Sequence, residues 1–323
     1  MSLSIEAFSH YLPIKRCTIP LFNDFSPTLY LIRLDQLRCG SNGRVMGNKI
    51  FKLLPNLELA SARNYQQIVS FGGAWSNHLH ALAAAGEAFG LGTIGIVRGE
   101  RSAKLSATLR DAQTLGMRLH FISRSDYRAL CDGNTRTVIE QQFGRSWVVP
   151  EGGSNATGRL GVRAMGRAIA LQLPPSVDQI WMAAATGSTM TGMIEGALEC
   201  QQGPHKKVFH GTIKGVNVLK NLSLTKQISH DLAINHKSLE THGVQWQVIN
   251  DGHCGGYAKM NADLLAFHGL LEQQLQESVD HVYMAKVFYA LYRSLKANQY
   301  PDTKAIAVIH SGGQQGRRGL CAL

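Results

Sequence analysis

The sequence has no apolar run long enough to cross a membrane as a helix. Its longest such runs, for example "GLGTIGIV" (90–97), fall far short of the ~20 residues that a membrane span needs. The first residues, "MSLSIEAFSHYLPIKR", contain Glu6 and lack an apolar segment behind a basic start, so we expect no secretory signal. We therefore predict no membrane partner.

Paired cysteines are missing as well. The six cysteines lie scattered along the chain, and no two form a C-x-x-C pair, which argues against zinc ribbons and thioredoxin-like redox sites. Six separate thiols in a chain of 323 residues fit a reducing compartment, so we expect a cytoplasmic protein.

Acidic residues are scarce: the chain has 22 Asp and Glu but 33 Lys and Arg, which gives a formal net charge of +11. A basic protein is a candidate for binding nucleic acid. However, the densest basic run is the pair "RR" at 317–318, and no helix-turn-helix, zinc-finger or RNA-recognition motif is present. The charge therefore favours an anionic small ligand over a nucleic-acid partner.

Strand-like and helix-like segments alternate along the chain. The β-branched runs "QIVSF" (67–71), "TIGIV" (93–97) and "RLHFI" (118–122) are separated by segments with helical character. This alternation predicts an α/β fold of open, mostly parallel sheets flanked by helices. Because 323 residues exceed the usual size of one core, we predict two domains, a large one of residues 1–50 and 151–323 and a small one of residues 51–150. Pro55 is expected to kink or break an early helix.

Parallel α/β sheets carry their chemistry in the loops that follow the carboxyl ends of their strands. One such loop, "ATGSTMTG" (185–192), opens a helix whose free N–H groups suit a phosphate. It contains Gly187, Ser188 and Thr189, and Thr191 offers a further hydroxyl. The loop matches neither G-x-G-x-x-G nor the P-loop motif, so dinucleotide and ATP binding lose support. An ordinary capped turn is the alternative interpretation.

A second loop, "FGGAWSNHLH" (71–80), places two glycines and several hydrogen-bond donors at a helix start. Ser76 or Asn77 can cap that helix. Capping accounts for only one of these two residues. The several donors together at this helix start suit a ligand carboxylate or a phenolate-like oxygen. His78 and His80 are two residues apart, which does not place them on one helical face, so no metal site is predicted.

Two further loops and one lysine complete the pattern. The loop "VVPEGGSNATG" (148–158) and the loop "VIHSGGQQG" (308–316), which carries Ser311, each look like structural turns when taken alone. The segment "VMGNKIFKL" (45–53) places Lys49 at the expected start of a helix. The partial positive charge of a helix N-terminus repels an ammonium there, so Lys49 is either a tolerated surface residue or a lysine whose pKa is usefully lowered.

A phosphate cup, a set of hydroxyl and amide donors and a lysine of this kind together match the needs of pyridoxal 5′-phosphate. The aldehyde of this cofactor condenses with a neutral lysine amine, and its ring withdraws electrons. We therefore predict that Lys49 forms the Schiff base. Lys52, three residues on, is expected to face another surface, and Lys286 is expected to be solvated or ion-paired.

The motifs are also recognisable as a set. In order, "GNKIFKL", "SFGGAWSNHLHALAAAG", "PEGGSNATGRLG", "ATGSTMTG", "DGHCGGYAK", "VYMAK" and "VIHSGG" resemble the 1-aminocyclopropane-1-carboxylate deaminase/D-cysteine desulfhydrase family. That family belongs to the tryptophan-synthase-β-like (fold type II) pyridoxal phosphate enzymes. The resemblance runs from about Leu29 to Gly319, and the combination of GNK-x-x-KL with GG-x-x-SNH is its most specific part.

The resemblance implies a set of cofactor contacts. Lys49 matches the family's Schiff-base lysine, and Asn77 matches the residue that hydrogen-bonds the phenolic oxygen of the ring. Ser311 matches the hydroxyl residue that faces the pyridine nitrogen in the desulfhydrases. The implied phosphate cup contains Gly187, Ser188 and Thr189.

The resemblance also implies contacts with the substrate. Ser76 matches the serine near the α-carbon and carboxylate of the substrate. Tyr283, in "VYMAK", matches a tyrosine near the ring and the substrate, and Tyr257, in "GGYAK", resembles a second active-site tyrosine. The partners expected from it are a small amino acid as substrate and a second copy of the chain in a homodimer.

One departure from the family decides how we rank its reactions. Deaminases that open a cyclopropane ring carry a glutamate directly after the active-site tyrosine, whereas this chain has Met284 there. A neutral residue leaves a weaker electron sink, which favours β-elimination from a small amino acid such as D-cysteine. Cyclopropane opening, β-replacement on the same fold and a non-catalytic protein that binds the cofactor or an amino acid remain the alternatives.

Overall fold

The computed structural model describes residues 10–40, 43–133, 135–201, 208–235, 243–313, 315 and 317–318. Contacts within this part of the chain define two compact units. The first contains Leu37–Gly161 with residues 315 and 317–318, and the second contains residues 10–36 and 162–313. The domain limits expected from the sequence lie instead at 50/51 and 150/151. The contact-based division groups residues 37–50 and 151–161 with the first unit, and Lys49 opens a helix that lies within it.

The described strands and helices follow the predicted alternation. The strands are β1 (Ile14–Cys17), β2 (Thr28–Arg33), β3 (Arg38–Cys39), β4 (Val45–Met46), β5 (Gln67–Gly72), β6 (Gly92–Arg98), β7 (Arg118–Ile122), β8 (Trp147–Val149), β9 (Val177–Ala184), β10 (Gly211–Asn217), β11 (Val244–Ile249) and β12 (Ala305–His310). The helices are α1 (Lys49–Ala62), α2 (Asn77–Phe89), α3 (Ala107–Thr114), α4 (Arg124–Asp132), α5 (Thr135–Phe143), α6 (Ala156–Gln172), α7 (Ser188–Gln201), α8 (Leu224–Asn235), α9 (Ala262–Leu275) and α10 (Met284–Lys296). Short 3-10 turns lie at Pro20–Phe22, Leu34–Gln36, Glu151–Gly153 and Asn250–His253.

The first unit is built on a four-stranded parallel sheet in the order β7–β6–β5–β8, and β3 pairs with β4 in a small antiparallel hairpin. Strands β5 and β6 are apolar along most of their length because helices cover both faces of such a sheet. Serine side chains cap the helices that follow three of its strands: Ser76, Ser106 and Ser123. Helix starts are therefore fixed just beyond the carboxyl edge of the sheet.

The second unit contains a six-stranded sheet in the order β1–β2–β12–β9–β10–β11. All neighbouring strands are parallel except β1, which pairs antiparallel with β2 at one edge. Helix α10 packs its apolar face on this sheet, and the buried cluster includes Trp181, Val216, Phe288, Leu291 and Val308. Carboxyl ends of β9 and β12 lie side by side, so the loops that follow them share one edge.

These two sheets confirm the predicted α/β class with open, mostly parallel sheets. The predicted break at Pro55 is wrong, because α1 continues through Pro55 to Ala62. None of the helices in the described ranges is long and apolar enough to span a bilayer.

Candidate functional site

Lys49 is the first residue of helix α1 in the first unit. Gly47 has a φ of +73°, a left-handed conformation that glycine adopts without strain, and it turns the chain from β4 into the helix. The Nζ atom of Lys49 donates a hydrogen bond to Oδ1 of Asn48 over 3.2 Å. The first turn of α1 contains no acidic residue, so no carboxylate within that turn offsets the positive end of the helix.

Lys52 lies one turn after Lys49 and is only 3% exposed. Its Nζ atom donates to the carbonyl oxygen of Gly152 over 3.1 Å. Burial, together with the charge of Lys49, lowers the pKa of Lys52 to about 7. The expectation that Lys52 faces another surface is therefore wrong, since residues three apart share one side of a helix.

This buried amine predicts a pH dependence of stability. An unfolded lysine keeps its proton up to about pH 10, whereas the pKa of folded Lys52 is lowered to about 7. Between these values the unfolded chain binds more protons, so the contribution of Lys52 to the free energy of unfolding rises with pH, by up to ~1.4 kcal/mol per pH unit. Relative to wild type, Lys52→Met should stabilise the cofactor-free protein most below about pH 7 and progressively less towards about pH 10.

Urea unfolding of both proteins across this pH range measures the effect. Lys15→Met is the matched control, because Lys15 is exposed on the edge strand β1. A gain for Lys52→Met that is the same at every pH would contradict the buried, pH-sensitive amine.

Ser76 and Asn77 mark the start of helix α2, after strand β5. Oγ of Ser76 caps the helix by accepting a hydrogen bond from the backbone N–H of Leu79 over 3.2 Å. A Cβ atom on Gly72 would lie 2.5 Å from that Oγ, so the close turn requires glycine there. Oδ1 of Asn77 is buried and has no hydrogen-bond partner in the described part of the chain. A side-chain amide whose oxygen has no partner can bind a polar ligand atom through that oxygen or, after rotation, through its N–H groups.

A buried hydrogen-bond chain lies directly behind Asn77, and the sequence interpretation missed it. Ser70 Oγ donates to the carbonyl oxygen of Val149 over 2.6 Å and lies 2.8 Å from Nε2 of His78. Because the only hydroxyl proton of Ser70 is used, Nε2 of His78 must donate, and Nδ1 keeps a lone pair. Burial, followed by the charges of Lys49 and Lys52, lowers the pKa of His78 to about 3, so its ring is neutral.

The Nδ1 atom of His78 is buried without a hydrogen-bond partner among the described residues. It is thus a fixed acceptor within the electrostatic reach of both lysines. A signal for it exists in the sequence, because His78 follows Asn77 in the SNH motif. The sequence interpretation tested that histidine only as a metal ligand.

The predicted phosphate cup lies in the second unit, between β9 and α7. Gly187 is buried with a φ of +85°, and Ser188 is the first residue of the helix. The first N–H groups of a helix have no acceptor within it and can bind an anion. Oγ1 of Thr191 donates to the carbonyl oxygen of Gly187 over 3.3 Å, which leaves Ser188 and Thr189 as the hydroxyl residues of the helix start.

Gly187 also has a packing role. A Cβ atom there would lie 3.1 Å from Cγ1 of Ile228 and 3.3 Å from Cδ1 of Leu224, both on helix α8. Replacing Gly187 would therefore disturb both the backbone and this contact, so it is a poor probe of ligand binding alone.

Ser311 and Met284 lie against each other in the second unit. Oγ of Ser311 is 3.8 Å from Sδ of Met284, and Met284 is fully buried. Gly187 and Ser311 follow the neighbouring strands β9 and β12, so they lie at the same sheet edge. The position that distinguishes the branches of the resembled family is thus filled by a thioether beside a hydroxyl.

Asp280 fixes the start of helix α10, and the sequence interpretation missed it. Its carboxylate accepts hydrogen bonds from the backbone N–H of Tyr283 over 2.7 Å and of Met284 over 3.1 Å. Burial raises the pKa of Asp280 to about 7, although these N–H groups oppose the rise. Asp280 therefore holds the backbone of both residues, and Tyr283 packs partly buried against the core of the unit.

Tyr257 is 46% exposed and lies in a loop with unusual backbone geometry. Cys254, Gly255, Gly256 and Ala258 all have positive φ. The side chain of Lys286, on α10, holds this loop by donating to the carbonyl oxygens of Gly256 over 2.6 Å and Val218 over 3.1 Å.

The expectation that Lys286 is solvated or ion-paired is therefore wrong, since Lys286 is fully buried and bound to two carbonyl oxygens. Burial lowers its pKa to about 8. The motif "VYMAK" gave no hint of this burial, because an amphipathic helix presents a lysine equally well to solvent.

The predicted site residues thus form two groups, one in each unit. Lys49, Ser76 and Asn77 lie at helix starts of the first unit, where the charge of Lys49 reaches the neighbouring His78. The second group, at helix starts and strand ends of the second unit, contains Gly187, Ser188, Thr189, Tyr283 and Ser311. Both groups offer the donors and free helix N–H groups that a phosphorylated pyridine requires, so the residues fit pyridoxal phosphate.

Comparison with known proteins agrees with this chemistry. Residues 37–312 match the model of the family described as "Pyridoxal-phosphate dependent enzyme". A protein of Pyrococcus abyssi with the provisional name 1-aminocyclopropane-1-carboxylate deaminase is 26% identical over 278 residues, which cover 84% of this chain and 81% of that protein.

Two solved structures share the fold. A homologue of ACC (1-aminocyclopropane-1-carboxylate) deaminase superposes with a TM-score of 0.73 at 22% identity, covering 94% of this chain and 90% of that one. A hydrogen sulfide-producing enzyme from Fusobacterium nucleatum superposes with a TM-score of 0.63 at 12% identity, covering 98% of both chains. At these identities the likeness establishes the fold, which confirms the expected fold type II architecture.

Proposed function

The chain belongs to the family of pyridoxal-phosphate dependent enzymes, and we propose that it catalyses β-elimination from a small amino acid such as D-cysteine. With D-cysteine, one water molecule is consumed and pyruvate, ammonia and hydrogen sulfide are released. The C–S bond breaks, sulfur leaves with the electron pair, and the α-carbon loses its proton. The Fusobacterium enzyme, which shares the fold, is named for producing hydrogen sulfide, and this supports a reaction of this class.

We assign the covalent attachment of the cofactor to Nζ of Lys49 and the contact with the ring oxygen to Asn77. We assign the phosphate to the N–H groups and hydroxyls at the start of α7, around Ser188 and Thr189. When bound, pyridoxal phosphate supplies an aldehyde for an amine and a ring that withdraws electrons.

The protein's own residues then handle the substrate and its protons. Once displaced by the substrate amine, Nζ of Lys49 accepts the α-proton, a type of general base catalysis that is typically worth ~10²–10⁴-fold. Ser76 lies at the N-terminus of α2, where its hydroxyl and the neighbouring N–H groups suit the substrate carboxylate. Tyr283 and Tyr257 are proposed to contact the ring and the substrate.

The contact between Ser311 and Met284 is the observation that carries the choice of reaction. Neither a hydroxyl nor a thioether is ionised, so neither would keep a ring nitrogen beside it protonated. A weaker electron sink favours reactions in which the β-substituent leaves with the electron pair. We therefore rank β-elimination above the opening of 1-aminocyclopropane-1-carboxylate, which is the second candidate because the Pyrococcus relative carries that name.

A panel of D- and L-amino acids, assayed for keto-acid release by the holoenzyme, tests the proposal. Keto acid from D-cysteine or β-chloro-D-alanine is the expected result. A new amino acid formed when a thiol is added would instead favour β-replacement. A holoenzyme that releases keto acid from none of them would contradict the proposal and favour a non-catalytic binding protein.

The cup at the start of α7 can be probed without touching the backbone. Thr189→Val should weaken cofactor retention by ~10–100-fold, because a hydrogen bond to a charged group is worth about 1.5–3 kcal/mol. The melting temperature of the cofactor-free protein should change little. Equilibrium dialysis and thermal unfolding measure the two effects.

Thr191→Val is the matched control for this variant. Thr191 is fully buried and bonds the carbonyl oxygen of Gly187, so its loss should lower the melting temperature. Equal losses of cofactor retention in both variants would argue that the loop is only a structural turn. The homodimer expected from the resemblance stays a prediction, which sedimentation equilibrium can test.

A further inference from the structure

A cavity in the first unit is lined by none of the residues assigned to the proposed reaction. Its volume is about 450 Å³, within the range of small-molecule sites. Three of its lining residues are arginines, and the full lining is Arg98, Arg124, Tyr127, Arg128, Cys131 and Glu151. A cavity lined by this many guanidinium groups calls for an explanation from charge.

The fold itself brings these arginines together. Arg98 is the last residue of β6, and Arg124 follows the end of β7, which pairs with β6 in parallel. Arg128 lies four residues after Arg124 on helix α4 and therefore on the same helical side. The cavity thus opens at the carboxyl edge of a parallel sheet, the edge at which ligands bind in open α/β folds.

Arginines outnumber carboxylates in the lining of this cavity by three to one. Its single carboxylate, Glu151, already accepts a hydrogen bond from the hydroxyl of Tyr127 over 2.9 Å. Arg98 stacks over the ring of Tyr127 at 5.4 Å. Within the described residues, none of the three arginines forms an ion pair or donates a hydrogen bond. Three like charges at one cavity repel one another unless an anion lies between them.

In a neighbouring cavity, by contrast, two of the lining arginines have partners within the protein. This cavity has a volume of about 600 Å³ and is also lined by Arg98, together with Arg110 and Arg318. There, Arg318 pairs with Asp111 over 2.6 Å, and Arg110 donates to the carbonyl oxygen of Leu105 over 2.6 Å. Among the described residues, the larger cavity therefore has one arginine without such a partner, Arg98, whereas the smaller cavity has three.

We propose that the cavity between Arg98, Arg124 and Arg128 binds a small, multiply charged anion, such as a phosphorylated metabolite or a polycarboxylate. Guanidinium groups bind phosphate and carboxylate oxygens in pairs, and three of them around one cavity favour a ligand with more than one negative charge. The site does not depend on the proposed reaction. It explains in part why arginine and lysine outnumber acidic residues in the sequence.

Calorimetric titration of the holoenzyme with inorganic pyrophosphate and with inorganic phosphate, at constant ionic strength, tests the site. The holoenzyme is used because its cofactor occupies the phosphate cup. The double variant Arg124→Gln/Arg128→Gln should weaken pyrophosphate binding by ~10-fold or more, since each charged hydrogen bond is worth about 1.5–3 kcal/mol. Lys15→Gln/Arg16→Gln removes the same charge from exposed positions of β1 and should leave binding unchanged.

Cys131 provides an independent readout inside the cavity. It is exposed, whereas Cys17 in the second unit is half-buried and serves as the reference thiol. Bound pyrophosphate should slow alkylation of Cys131 in the wild type without slowing that of Cys17. Failure of the wild type to bind either anion, or equal losses in both double variants, would overturn the proposal.

Kinetics distinguish the two sources of such an anion. If it is a free effector, pyrophosphate should change keto-acid release from D-cysteine in the wild type and not in Arg124→Gln/Arg128→Gln. If it is part of the substrate, release from an amino acid with a phosphorylated side chain, such as O-phospho-D-serine, should fall at least ~10-fold in that variant. Either pattern supports the site.

Discussion

Replacing Lys49 with alanine should abolish covalent retention of pyridoxal phosphate and lower keto-acid release by at least ~10²–10⁴-fold, the usual worth of a general base. Both effects are expected because the same amine is proposed to hold the cofactor and to accept the α-proton. Loss of the absorption of the bound cofactor measures the first effect, and initial rates measure the second.

Lys52 and Lys286 are buried lysines of the same motifs, and their hydrogen bonds separate their roles from that of Lys49. Lys52 donates to the carbonyl oxygen of Gly152, and Lys286 donates to those of Gly256 and Val218. Lys286→Met should therefore perturb the loop of Tyr257 and leave the covalent attachment intact. That variant is the matched control, because it also removes a lysine amine that donates a hydrogen bond.

Peptide mapping after borohydride reduction identifies the attached lysine directly. A modification on Lys49 blocks tryptic cleavage behind it and leaves one peptide that spans residues 45–52, "VMGNKIFK". A modification on Lys52 would instead leave a peptide of residues 50–63 that starts at Ile50. The second peptide, or a modified Lys286, would show that the assignment of Lys49 is wrong.

The sequence predicted those features that depend on local pattern. Strand β7 begins and ends where the run "RLHFI" (118–122) does, and the structure places Lys49, Asn77 and Ser188 at the first positions of helices. Glycines and capping residues set these starts within a few residues, so spacing alone finds them. The placement is therefore visible in the sequence, whereas the roles of these residues remain proposals.

The sequence did not predict the buried polar residues behind the site. Lys52, Lys286 and Asp280 are each fully or almost fully buried, although charged residues are usually exposed. Asp280 accepts from N–H groups three and four residues on, whereas the partners of the two lysines are carbonyl groups of distant segments, for example Gly152 for Lys52 and Gly256 for Lys286. Such contacts depend on how distant segments pack, so no local pattern records them.

The pair of Ser311 and Met284 predicts which substrates are turned over. The wild type should release keto acid from D-cysteine or β-chloro-D-alanine and not from 1-aminocyclopropane-1-carboxylate. The physical reason is that position 284 beside Ser311 holds a thioether and not a carboxylate. A ring nitrogen that faces Ser311 would therefore stay largely unprotonated. Efficient ring opening by the wild type would reverse our ranking of the two reactions.

Met284→Glu tests the same argument in the other direction, by placing a carboxylate where the thioether of Met284 now lies beside the hydroxyl of Ser311. Because Met284 is fully buried, burial will raise the pKa of the new carboxyl group, and the variant should lose stability. Met284→Gln is the matched control, since glutamine has nearly the shape of glutamate, adds a polar group at the same place and carries no charge. Keto-acid release from 1-aminocyclopropane-1-carboxylate should rise, relative to release from D-cysteine, in Met284→Glu and not in Met284→Gln. Equal ratios in the two variants, with both retaining the cofactor, would mean that charge at this position does not select the reaction.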